Sequence, residues 1–204
     1  MSTKIYVEGG GNQDRTIRLC RQGFTQYFSK IAPGNRPRVV PAGSRKEAYD
    51  DFCTALRSGG DGYQLIILLV DSEDPVPAGF TAWRHLKERK ADGWDKPLGA
   101  GDEQAHLMVQ CMESWFMADR NALSEFYGQG FLVDSLPART DIEAIGKIDL
   151  NKKLEHATKS TQTKGKYHKV NHGFALLGLI NPHKVAEASR HAAALHALVA
   201  NHAV

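Results

Sequence analysis

The chain is poor in the features that announce an easy assignment. It holds three cysteines in 204 residues, Cys20, Cys53 and Cys111, widely spaced and with no CxxC pair. That excludes a disulfide framework and a zinc ribbon, and it leads us to expect buried free thiols. It lacks an excess of either charge: 26 basic residues stand against 23 acidic ones. A globally basic nucleic-acid binder is therefore not indicated. It lacks a long apolar run, the longest being the six residues LIILLV, far below the roughly 20 residues a bilayer requires. The opening MSTKIYVEGGG has no charged-then-apolar leader pattern, which gives a cytoplasmic expectation. Neither GK[ST] nor GxGxxG follows the glycines at positions 9–11, so nucleotide binding by a Walker or dinucleotide loop is not expected.

What is present is a repeating order of elements. Residues 4–7 (KIYV) read as a short strand ending at Glu8 and three glycines. Apolar residues then recur at helical spacing over 14–31. RVVP at 38–41 reads as a second strand, and Ser44 with Glu47 makes a capping box that opens a helix ending near Gly59 and Gly60. Residues 65–70 form an unbroken apolar strand of the kind buried on both faces, as in a parallel sheet. A basic helix over 80–90, a fourth strand over 106–115 (HLMVQCMESW) and a helix NALSEFY capped by Asp119 complete the series. Strand and helix alternating four times predict an α/β fold with an open, mainly parallel, Rossmann-like sheet flanked by helices. Beyond residue 130 the pattern is helical throughout, including a final helix opened by Asn181 and Pro182. We read residues 1–130 as the α/β domain and 131–204 as a helical C-terminal extension packed on it.

The chemistry gathers where strands end. LIILLVDSED places Asp71, Glu73 and Asp74 directly after the buried strand, and Glu8 holds the equivalent place after the first. Like charges so close repel unless a cation sits among them, and magnesium favours carboxylates with water and substrate phosphate completing its shell. Ligands of open α/β sheets bind beyond the carboxyl ends of the strands. Glu113, near the end of the fourth predicted strand, is a further candidate. A plain solvated turn after the strand is the competing reading for Asp71 to Asp74.

Between positions 151 and 169, NKKLEHATKSTQTKGKYHK carries six lysines against one glutamate. Such a run can hold a phosphate backbone, and Lys166 and Lys169 are the candidates for stabilising charge in a transition state; a mobile lysine-rich loop is the alternative. The helix with Arg84, Lys87, Arg89 and Lys90 either extends that surface or is simply solvated. His191, His196 and His202 are five and six residues apart, so they do not share one helix face. Trp115 and Phe116 are expected in the core.

KIYVEGGGN, followed some sixty residues later by DSED after an apolar strand, resembles the two motifs of the Toprim domain of topoisomerases, bacterial primases and overcoming-lysogenisation-defect nucleases. More closely, LLVDSED, MVQCMESWFMAD and KGKYHKVNHGFALLGLINP together resemble a bacterial Toprim-like family catalogued as a domain of unknown function, with members encoded near ATPases in defence-type loci. The resemblance implies a Toprim-like fold and a metal-dependent nuclease. Glu8 becomes metal ligand or general base, and Asp71 with Glu73 takes the place of a DxD pair whose second aspartate is here a glutamate. Asp74 is a substitute ligand, and Glu113 is the further acid of a two-metal site completed by a lysine. Mg2+ or Mn2+ is the implied cofactor, nucleic acid, DNA or RNA, the implied substrate, and a partner ATPase the implied associate. The rivals are a regulatory, non-catalytic subunit and a small-molecule phosphohydrolase.

Overall fold

The computed structural model describes residues 2–202, with the Asp61 side chain excepted. Four strands, β1 (Thr3–Val7), β2 (Arg38–Pro41), β3 (Leu65–Asp71) and β4 (Ala105–Met108), form one sheet in the order β2-β1-β3-β4. All three pairings are parallel. The expected open, Rossmann-like α/β sheet is thus present. Every residue of β3 is buried, as its unbroken apolar run requires of a central strand covered on both faces.

The period of two in a strand divides the core. Ile5, Val7, Ile67 and Leu69 face one side, where they meet α1 (Asp14–Ser29) and the C-terminal helices. Tyr6, Ile66, Leu68 and Val70 face the other, against α2 (Arg45–Arg57) and α3 (Ala82–Glu88). The capping box at Ser44 forms as the sequence suggests: Ser44 Oγ accepts from the Glu47 amide, and the Glu47 carboxylate accepts from the Ser44 amide.

The region after β3 departs most from expectation. The fourth strand ends at Met108, not near residue 115, and MESWF forms a short helix, α4 (Met112–Phe116). Apolar periodicity alone cannot separate a buried strand from a buried helix. Trp115 and Phe116 are fully buried, as expected. Asp119 precedes α5 (Arg120–Tyr127) but makes no capping bond; its carboxylate accepts instead from the Asn181 amide at 3.0 Å and Lys184 Nζ at 2.6 Å.

The second half follows as α6 (Lys147–Thr158), a π-helical turn at Lys169–Gly173, α7 (Phe174–Leu179), α8 (Pro182–Ala188) and α9 (Arg190–Asn201). The expected single final helix is broken at Ser189, whose hydroxyl caps α9 by accepting from the Ala192 amide. Leu150, Leu177 and Leu195 join Ile5 and Ile67 in one continuous core, so the helical half packs directly on the sheet. The contact of α1 with α7 is close enough that a Cβ on Gly23 would lie 2.3 Å from the Phe174 carbonyl oxygen. The three cysteines are free, Cys20 and Cys111 buried and Cys53 partly so. Among the described residues, no helix is long and apolar enough to cross a membrane.

Candidate metal centre

The order β2-β1-β3-β4 reverses direction between β1 and β3, where a crevice opens beyond the carboxyl ends of neighbouring strands. Glu8 follows β1 directly and Asp71 closes β3. Backbone pairing continues past the strand end, with the Glu8 amide donating to the Leu69 carbonyl at 3.1 Å. The side chain then completes the link, because Glu8 Oε2 accepts from the Asp71 amide at 3.1 Å.

Glu73 reaches the same place by a different route. The amides of Ser72 and Glu73 donate to the carbonyls of Met108 and Gln110, extending the β3–β4 edge, and Glu73 adopts a φ of 65°. A left-handed conformation in a non-glycine residue costs on the order of 1–3 kcal/mol and persists only where the surroundings enforce it. One carboxylate oxygen from each of Glu8, Asp71 and Glu73 lies within 4.8 Å of the other two.

This geometry is costly for bare carboxylates. Burial pushes the Asp71 carboxyl up to about 8, reinforced by the neighbouring charge of Glu8. Glu8 is also raised, first by burial, although Arg45 and the Asp71 amide oppose the shift. Three cations offset the repulsion. Lys147 Nζ lies 2.6 Å from Glu73 Oε1 and 3.6 Å from Asp71 Oδ2, and Arg45 Nη1 lies 3.6 Å from Glu8 Oε2. Lys169 Nζ lies 3.8 Å from Glu113 Oε1. Burial would lower both lysines, yet the acids around them hold each above its ordinary value.

Glu113 stands beside this group on α4, with only 2% of its surface exposed. Its Oε1 accepts from the Tyr167 hydroxyl at 2.9 Å, while Oε2 is buried without a hydrogen-bond partner among the described residues. It belongs to the charged neighbourhood of Asp71 but not to the three-carboxylate cluster.

Two expected site residues are directed elsewhere. Asp74 pairs with Arg89 at 2.7 Å and is largely exposed, because the chain turns outward after Glu73. Lys166 pairs with Glu155 at 2.7 Å on the surface, leaving Lys169 as the lysine of that run that reaches the acids. The basic helix is similarly occupied, Arg84 by Glu88 and Lys87 by Asp95. Lys147, Arg45 and Tyr167 were not anticipated. Arg45 follows the capping serine and so had a positional signal in the Ser44 box; Lys147, outside the lysine-rich run, had none.

The donor set suits a hard divalent ion. Two oxygens on opposite sides of magnesium stand about 4.2 Å apart, so an outer spacing of 4.8 Å closes with small side-chain rotations. A cavity of about 480 Å³ opens onto the centre, its wall including Glu8, Asp71 and Lys169 together with Met112, Val170 and Phe174.

A family model described as "Domain of unknown function (DUF4276)" matches residues 7–200. Neither the curated proteins nor the solved structures contain a match.

Proposed function

Because the chain belongs to the DUF4276 family, whose description names no activity, its function has to be read from the site, and we propose a divalent-metal-dependent phosphodiesterase of Toprim-like type that acts on nucleic acid. The carrying observation is the convergence of Glu8, Asp71 and Glu73 at the strand-order reversal of a parallel sheet.

In this reading Glu8, Asp71 and Glu73 hold Mg2+ or Mn2+, which when bound supplies Lewis-acid polarisation of a phosphoryl oxygen. Lys169, reaching in from the π-helical turn, neutralises negative charge gathering on the phosphate. Glu8, whose carboxyl burial raises above its ordinary value in the metal-free protein, is the side chain placed to accept a proton from the attacking water. Tyr167 anchors Glu113, and Glu113 in turn positions the Lys169 ammonium. The motif resemblance adds a defence-locus setting and a partner ATPase to the proposal.

Purified protein incubated with DNA or RNA and manganese should cleave it, and Glu8→Ala or Asp71→Ala should abolish the cleavage. Cleavage persisting in both variants removes the reading. One observation favours a second reading, a regulatory subunit without catalysis: Lys147, Arg45 and Lys169 already offset the acids from within the chain. Calorimetry separates the two, since a regulatory subunit of this kind binds no magnesium at millimolar concentration.

A further inference from the structure

We propose that the cavity at the metal centre takes a single nucleotide unit, either a free nucleoside phosphate or the terminal residue of a strand, and not the interior of a duplex. The proposal rests on the phosphodiesterase reading and names the substrate class for the same site.

Access supplies the first argument. Asp71 is only 2% exposed, and the surface it shares with Glu8 faces the cavity. A phosphate that reaches these carboxylates must enter that space. At about 480 Å³ the cavity is in the range that encloses a small ligand, roughly 300–1,000 Å³. A duplex backbone continues in both directions from each phosphate and brings a paired second strand with it, more than a half-open cleft of this volume holds against the buried Asp71.

The wall supplies the second argument. A site meant for sugar-phosphate backbone alone is lined with cations and polar donors. Here Met112, Val170 and Phe174 alternate with the charged groups. The interleaving is intimate: the Met112 amide donates to Asp71 Oδ1 at 2.8 Å, and Val170 follows Lys169 directly. Met112 and Phe174 show only their edges, so the apolar part of this wall that backbone alone would leave facing water is led by half-buried Val170, and a flat base covers it. One ligand that carries both a phosphate and a ring satisfies both kinds of wall.

The glycines keep the space open. Gly9 and Gly10 line the cavity at φ of 128° and 91°, and a Cβ at Gly9 would lie 3.4 Å from the Phe174 ring. A side chain at either position would be strained, pressing at Gly9 on Cys20 and the Phe174 wall and at Gly10 on the Ile17 backbone.

The test titrates thymidine 5′-monophosphate and inorganic phosphate separately into the full chain, first with EDTA and then with magnesium, following heat and ligand NMR signals. The nucleotide should bind about tenfold more tightly than phosphate, the gain expected of one stacked base. Asn12→Trp, on the exposed rim of the cavity, should erase that preference and leave magnesium affinity intact. With manganese, linear strands should be trimmed from an end, or free nucleotides turned over, while covalently closed circular duplex survives. Equal affinity for phosphate and nucleotide, or closed circles cut as readily as linear DNA, overturns the proposal. Nucleotide binding in EDTA without any magnesium binding sinks the phosphodiesterase reading alone; magnesium binding without nucleotide preference sinks this inference alone.

Discussion

Lys147 Nζ occupies the gap between Glu73 and Asp71, 2.6 Å from one carboxylate and 3.6 Å from the other. It is an internal cation standing where a divalent ion would be held. Replacing it with an uncharged side chain of similar length removes the competitor. Lys147→Met should therefore tighten magnesium or manganese binding on the order of tenfold by calorimetry, with a lower thermal midpoint in EDTA, where of the three cations only Arg45 and Lys169 remain to offset the acids. Weaker metal binding in Lys147→Met would mean that the lysine orients the ligands and does not compete with the ion.

Metal affinity should also depend on pH. The Asp71 carboxyl, raised to about 8 by burial and then by Glu8, holds a proton in the folded protein at neutral pH. A cation must displace that proton, so affinity should climb with pH and level off above about 8. The sign for stability is opposite. The folded state binds more protons than the unfolded state between the ordinary aspartate value and about 8, so the metal-free protein should lose stability as pH rises through that window. Calorimetry in buffers of different ionisation heat should report about one proton released per ion at pH 7.

Glu143 ties α9 to the rest of the chain. Its carboxylate accepts from Ser189 Oγ at 2.6 Å, the His191 amide at 3.0 Å and His191 Nδ1 at 2.9 Å. Burial would raise its pKa, yet these bonds from His191 and Ser189 hold it at about 2. A depressed acid contributes stability that is whole above its unfolded value and is lost as pH falls toward 2. Glu143→Gln should cost about 1.5–3 kcal/mol at pH 7 in denaturant unfolding, with a smaller difference from the parent at pH 3.

The contact of α1 with α7 gives a prediction that reaches the site through packing. Gly23→Ala would press a methyl group onto the Phe174 carbonyl, and overpacking of this kind costs about 1–3 kcal/mol. Phe174 directly follows the π-helical turn that carries Lys169, so the displacement should weaken phosphate binding more than magnesium binding. Paired titrations of the two ligands measure that difference.

The sheet was legible because β3 is an unbroken apolar run and the glycines after Glu8 mark a strand end. The alternation of strands and helices then predicted that Glu8 and Asp71 would meet. The identity of MESWF as a helix was not legible, since all five residues are buried and no exposed face marks a period. Asp74 differed from its neighbour Glu73 for a backbone reason, the left-handed turn at Glu73, which sequence spacing does not reveal in a non-glycine residue. Lys147 was invisible because its partners lie more than seventy positions earlier, and the apparent lysine cluster drew attention to Lys166, which a local glutamate occupies.

The negative charge at the centre comes from the first 113 residues, and two of its three counter-charges, Lys147 and Lys169, come from the helical half. Cutting the chain after residue 130 would leave a fragment whose acidic rim repels itself and whose sheet keeps α1 over one side but loses the C-terminal helices that share that cover. A hybrid joined there from two diverged relatives would inherit ligands from one parent and their neutralising partners from the other. Selection on this site therefore acts on the whole length at once, and the two halves have to change in step.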